Sequence, residues 1–134
     1  MPLTYDVNWI AVIIAAVVSF IISMVWYGPL FGKKWMAYQG MKKPPKKKGM
    51  SGIFLVALIA NIIWAYVIAL FVNLNGVSTA AGGAVVGFWL WLGLIATFTL
   101  GSILWENKPV GLYVLNNAHN LLVTVVAGII VAVM

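Results

Sequence analysis

No cysteine occurs anywhere in the sequence, and charge is nearly as scarce: 7% of 134 residues, with Asp6 and Glu106 the only acids and His119 the only histidine. Each shortage excludes a class of chemistry. Without cysteine there is no disulfide, no thiolate metal site and no thiol nucleophile. Asp6 and Glu106 are expected on opposite sides of a bilayer, so they cannot act as a pair of carboxylates in acid–base catalysis. A single histidine without histidine or carboxylate neighbours does not make a metal site of the usual protein ligands. Ser19 and Ser23 have no evident base and orienting group beside them. Gly82-Gly83 opens an apolar run with no phosphate-binding lysine after it. The expectation is a protein that is not an enzyme and carries neither metal nor cofactor.

What the chain does have is apolar sequence. Hydrophobic residues make up 64% of it and the mean hydropathy is +1.08, whereas soluble domains carry about 25% charged residues. Lipid is therefore the expected solvent. The first charge-free run extends from Val7 to Gly32, and its apolar part to Tyr27 is long enough to cross ~30 Å of hydrocarbon as a helix. A second run, Gly49 to Trp105, is too long for one crossing and is broken by the turn residues Asn73-Leu74-Asn75-Gly76-Val77-Ser78. A third begins after Trp105-Glu106-Asn107-Lys108-Pro109, where proline suits a first helical turn. The resulting expectation is an all-α protein: a single transmembrane domain over 1–134, with four helices at about 7–27, 52–72, 79–104 and 109–132 in a compact bundle. The first run has no basic residues ahead of it, so it reads as a retained span and not as a cleaved signal peptide.

The net charge of +6 is concentrated. Seven lysines, Lys33, Lys34, Lys42, Lys43, Lys46, Lys47 and Lys48, lie in the loop at about 28–51, and the eighth, Lys108, lies in the third loop. Both loops fall on one side of a four-span bundle, which by the positive-inside rule is the cytoplasm, with both termini outside. Nucleic acid is not an expected partner, because no soluble basic face exists to meet phosphates. Anionic lipid headgroups are, at ~1 kcal/mol per lysine near such a surface. Gly28-Pro29 is expected to end the first helix. The following Leu30–Tyr38 stretch mixes aromatics and lysines as a short interfacial helix does, and Met41–Lys48, broken by Pro44-Pro45, is expected to be an extended connector. Trp26, Tyr27, Trp35, Tyr38 and Trp105 then mark the cytoplasmic interface, Tyr5 and Trp9 the outer one. Trp64, Trp89 and Trp91 read as packing residues.

Helices in lipid associate by close approach and hydrogen bonding, since lipid tails are as apolar as leucine. Each run carries a stripe of small or polar residues suited to that: Ala11, Ala15, Ser19 and Ser23; Ala57, Asn61, Ala65 and Ala69; Gly83, Gly87, Gly93, Thr97 and Gly101; Asn116, Asn120, Thr124, Gly128 and Ala132. At ~1.5 Å per residue, Ser19, Asn61, Thr97 and His119 lie roughly 12–14 Å inside the cytoplasmic boundary, which predicts one intramembrane polar layer. In the last run Asn116, Asn117, His119, Asn120 and Thr124 cover roughly a 160° arc at about 100° per residue, a face that must meet protein or water. Interhelical hydrogen bonding is the favoured use of these residues; a permeation path, a proton relay through His119 or a small-ligand pocket is the sharper one.

Beyond these physical readings, the chain resembles the domain of unknown function 1761 family of small prokaryotic membrane proteins. The likeness rests on Asn8-Trp9-Ile10-Ala11-Val12, on Trp26-Tyr27-Gly28-Pro29-Leu30-Phe31-Gly32-Lys33-Lys34-Trp35-Met36, on Gly87-Phe88-Trp89-Leu90-Trp91-Leu92-Gly93 and on Asn116, His119 and Gly128. Ser23 and Asn117 stand where many relatives have glycine and an aromatic. The resemblance implies four helices in a prokaryotic membrane and supplies no activity. The expected role is assembly, as a homo-oligomer or a small accessory subunit of a larger membrane complex; the alternative is a small channel or transporter using the Asn/His layer.

Overall fold

Asn8 starts the first helix: its side-chain oxygen accepts from the N–H groups of Ile10 and Ala11, at 3.1 and 3.3 Å. This capping satisfies donors that a helix start otherwise leaves open. In this computed structural model, which describes residues 6–41 and 50–134, helix α1 is α-helical over Trp9–Val25 and π-helical over Trp26–Leu30. A short α2 covers Gly32–Tyr38 and α3 covers Met50–Leu74. Helix α4, Ala80–Leu104, is capped by Thr79, whose hydroxyl accepts from Gly82 N–H. It is α-helical over Ala80–Leu90, π-helical over Trp91–Ala96, and finishes in two short turns. Helix α5, Val110–Val133, follows Pro109. Four of these helices are long and apolar enough to cross a membrane, and no strand occurs among the described residues.

Gly28-Pro29 does not end the first helix as expected. The chain widens instead: Phe31 N–H donates to Trp26 O at 2.8 Å, a five-residue reach. The broader turn makes room for the proline ring that an α-turn would push against a carbonyl, and proline has no N–H to lose. Helix α2 then lies with Lys33 and Lys34 exposed and Trp35 and Met36 half-buried. It docks on the start of α5 through Tyr38, whose ring occupies the place of a side chain at Gly111. Lys42, Lys43, Lys46, Lys47 and Lys48, the proline pair and Tyr5 lie outside the described residues.

Helix α5 is the hub. It packs against α1, α3 and α4, and its closest approach is to α4. A Cβ at Gly87 would stand 2.6 Å from Thr124 O, and one at Gly83 would collide with Gly128 O. Only glycine lets the two backbones come this near, which in lipid is a source of helix affinity. Across from it α1 and α3 bring together Val12, Ala15, Ala16, Ala65 and Val72 with Ala127 of α5, all at 0% exposure. Asn8 donates to Met134 O and Asn73 to Asp6 O, each at 3.3 Å, tying the start of α1 to the ends of α3 and α5 at one end of the bundle. We call this the terminal end; Lys33, Lys34 and Lys108 sit at the other, the lysine end.

A polar pocket on the fourth span

Toward the lysine end, the apolar α1–α5 seam turns polar. Ser23 Oγ lies 2.7 Å from His119 Nε2, and His119 Nδ1 lies 3.0 Å from Asn120 Oδ1. An amide oxygen only accepts, so Nδ1 carries a hydrogen. With a neutral ring, Ser23 then donates to Nε2. With a charged ring, Nε2 donates to Ser23 and the serine hydroxyl turns to Ser19 O, 2.9 Å away. Tyr27, one turn beyond Ser23, packs its ring against the imidazole at 4.9 Å between centroids, tilted by 57°, and donates from its hydroxyl to Asn116 Oδ1 at 2.8 Å. The π-turn at Trp26–Leu30 carries this tyrosine, and its ring also meets Trp35 of α2 edge-on.

A second cluster joins α5 to α4. Asn117, buried, donates from Nδ2 to Thr99 Oγ1 at 3.0 Å and to Tyr113 O at 3.1 Å. Trp91 Nε1 donates to Asn117 O, and the Tyr113 hydroxyl donates to Ala96 O. Trp91 and Ala96 are the first and last residues of the π-segment in α4. Polar groups of α5 thus hold both ends of the irregular stretch, where backbone carbonyls depart from regular α-helical pairing.

Between the clusters lies a pocket of about 450 Å³. Asn116, Asn117 and Asn120 form its α5 wall, Thr99 and Ser102 its α4 wall, Tyr27 and Trp35 the opposite side, and Glu106 and Lys108 its rim. From Leu112 to Asn120 it follows α5 for roughly 12 Å at 1.5 Å per residue. Deeper along α5 the polar lining stops: Thr124 is buried with its hydroxyl on Asn120 O of its own helix, and Ala127 follows. No cluster of three or more His, Cys, Asp or Glu that would hold a metal ion exists among the described residues.

The residues expected to form one polar layer separate. Asn116, Asn117, His119 and Asn120 come together as described. Ser19 is buried nearby, but its hydroxyl has no partner among the described residues, and neither has the buried Trp26 Nε1. Thr97 is exposed and bonds only Gly93 O of its own helix, and half-buried Asn61 takes part in no side-chain hydrogen bond among the described residues. For Thr97 the register explains this: the π-segment carries α4 past about one extra residue, so Thr97 faces outward and Thr99 faces Asn117. Tyr27, Thr99, Tyr113 and Trp91 were not anticipated as site residues. Tyr113 had a signal, lying four residues before Asn117 on the same face; Thr99 had none without knowledge of the π-segment.

Most of the chain also matches a known sequence family. The profile of the family described as protein of unknown function DUF1761 matches residues 10–132. The chain belongs to that family. In DUF1761 terms the match spans α1 through α5 and takes in both π-segments and the pocket. No curated protein and no solved structure matches the chain.

Proposed function

We propose that this DUF1761 protein is a multi-pass, non-enzymatic protein of a prokaryotic cell membrane that takes a small polar solute from the cytoplasmic side into the α4–α5 pocket. It would be the binding element of a small transporter. The lysine end faces the cytoplasm and both termini lie outside, as the positive-inside rule requires for loops bearing Lys33, Lys34 and Lys108. Lys33 and Lys34, exposed on α2, meet anionic headgroups there. The observation that carries the reading is the pocket itself: an amide-lined cleft among apolar helices, ending at a dry seam. Intramembrane polar groups that face a cavity mark substrate paths. One protomer in this conformation binds but does not conduct. Passage requires a second conformation in which the terminal half opens.

Assembly is the second reading, and one observation favours it. The stripes of α1 and α3, with Gly83, Gly87 and Gly128, are spent within one protomer, yet Gly93 and Thr97 remain exposed on α4 beside Phe98, which is 83% exposed. That face suits a second copy or another membrane subunit. Purified protein in liposomes separates the readings. Saturable uptake of polar solutes, reduced at least about tenfold by Asn117→Leu, supports the transporter. No uptake, together with a stable larger complex in mild detergent, supports assembly.

A further inference from the structure

Building on the solute-pocket reading, we infer that the pocket selects a compact zwitterion, a molecule whose primary ammonium stands two or three bonds from a carboxylate or phosphate. Three features of the pocket converge on this. First, Glu106 and Lys108 both line the rim, and no ion pair joins them to each other or to any other described residue. Asn107 between them has φ +54, the left-handed conformation that asparagine tolerates better than most residues. This reversal, anchored by Lys108 N–H donating to Ser102 O at 3.0 Å, turns both flanking side chains onto one opening. Second, the deeper wall presents donors. Asn116 Oδ1 is taken by Tyr27 and Asn120 Oδ1 by His119. Their amide nitrogens make no hydrogen bond among the described residues and are not among the buried unpaired atoms, so they are accessible donors on residues that line the pocket. Third, Tyr27 and Trp35 offer aromatic surface across from the amides, which favours an adjacent cation.

The charges decide the class. A plain anion meets Glu106, a plain cation meets Lys108, and only a ligand bearing both signs satisfies both. Its anionic end fits the Asn116 and Asn120 amides with Lys108, and its ammonium fits Glu106 and the rings. Such chemistry occurs in free amino acids and in the phosphoethanolamine headgroup of a lipid.

The test uses the whole protein in detergent and O-phosphoethanolamine as probe, with inorganic phosphate and ethanolamine as single-charge controls, each titrated by intrinsic tryptophan fluorescence. O-phosphoethanolamine is expected to bind at least about tenfold more tightly than either control, the scale of one charge-assisted hydrogen bond. Glu106→Gln should erase the advantage over phosphate. Equal binding of phosphate by the wild type, or an unchanged preference in Glu106→Gln, overturns the inference. If no probe binds while Asn116→Cys reacts with a water-soluble thiol reagent, the zwitterion is wrong and the pocket stands; if neither occurs, the pocket reading fails as well. Repeating the titration in phosphatidylethanolamine and phosphatidylglycerol nanodiscs identifies the source. Competition confined to the former assigns the site to a headgroup, and undiminished binding in both assigns it to a free solute.

Discussion

The two halves of this bundle are built from different materials. Toward the terminal end, α4 and α5 meet glycine to backbone, and α1, α3 and α5 close over alanine and valine at 0% exposure. Toward the lysine end α1 and α4 lose regularity in their π-segments, and α5 turns from Ala127 and Gly128 to Asn116, Asn117, His119 and Asn120. Close packing without polar groups leaves no room for water or for unpaired donors. Wider turns and amide side chains create space, and that space needs hydrogen-bond partners. One half of the bundle is therefore a seal and the other a receptacle, and α5 contributes to both.

Breaking the seal should have the largest effect. Gly128→Val would drive a branched side chain into Gly83 O, a backbone atom that no rotamer change can move aside. Overpacking costs about 1–3 kcal/mol, and a clash with backbone falls at the upper end of that range, readable as a lower midpoint in unfolding by added denaturing detergent. A stability within about 0.5 kcal/mol of wild type would mean that α4 and α5 are not in backbone contact. The receptacle should respond less. Asn117→Leu removes the bonds to Thr99 and Tyr113 O, and interhelical hydrogen bonds in membranes are worth about 0.6 kcal/mol, up to about 1.7. The expected loss is about 1 kcal/mol, while Trp91, whose indole donates to the backbone oxygen of residue 117, keeps its bond and should change little in fluorescence. The smallest effect sits at the boundary between the halves. Ser19 is buried with no hydroxyl partner among the described residues, so Ser19→Ala removes an unsatisfied group and should leave stability equal or slightly higher. A loss of about 1 kcal/mol in the same unfolding assay would show that its hydroxyl is satisfied after all.

The seal was far more legible in the sequence than the receptacle. Small residues at four-residue spacing named Ala11, Ala15, Gly83, Gly87, Gly128 and Ala132 directly, because a regular α-helix places such residues on one face. All of these are buried. In the polar half the same rule held on α5, which is regular throughout and gave the Asn116–Asn120 group, and on the α-helical part of α1, where it gave Ser23 against His119. On α4 the rule failed. Six π-helical residues shift the register between Leu90 and Thr97, so counting by 3.6 selected Thr97 and passed over Thr99. On α1 a proline that usually ends a helix was absorbed by a π-turn, which extended the helix to Leu30 and aimed Tyr27 at His119. Nothing in composition or spacing distinguishes a π-turn from an α-turn. What reveals one is the partner, here Tyr113 and Asn117, which only the fold brings near.

The chain's lack of cysteine makes the difference between the halves directly measurable. Single cysteines placed at Asn116, in the receptacle, and at Ala127, in the seal, can be challenged with a membrane-impermeant maleimide in sealed vesicles of either orientation. Asn116→Cys should be labelled in inside-out vesicles and protected in right-side-out ones, and Ala127→Cys should be protected in both. An unreactive Asn116→Cys in inside-out vesicles, or labelling of Ala127→Cys from either side, would contradict a bundle that is open to water at the lysine end and sealed at the other.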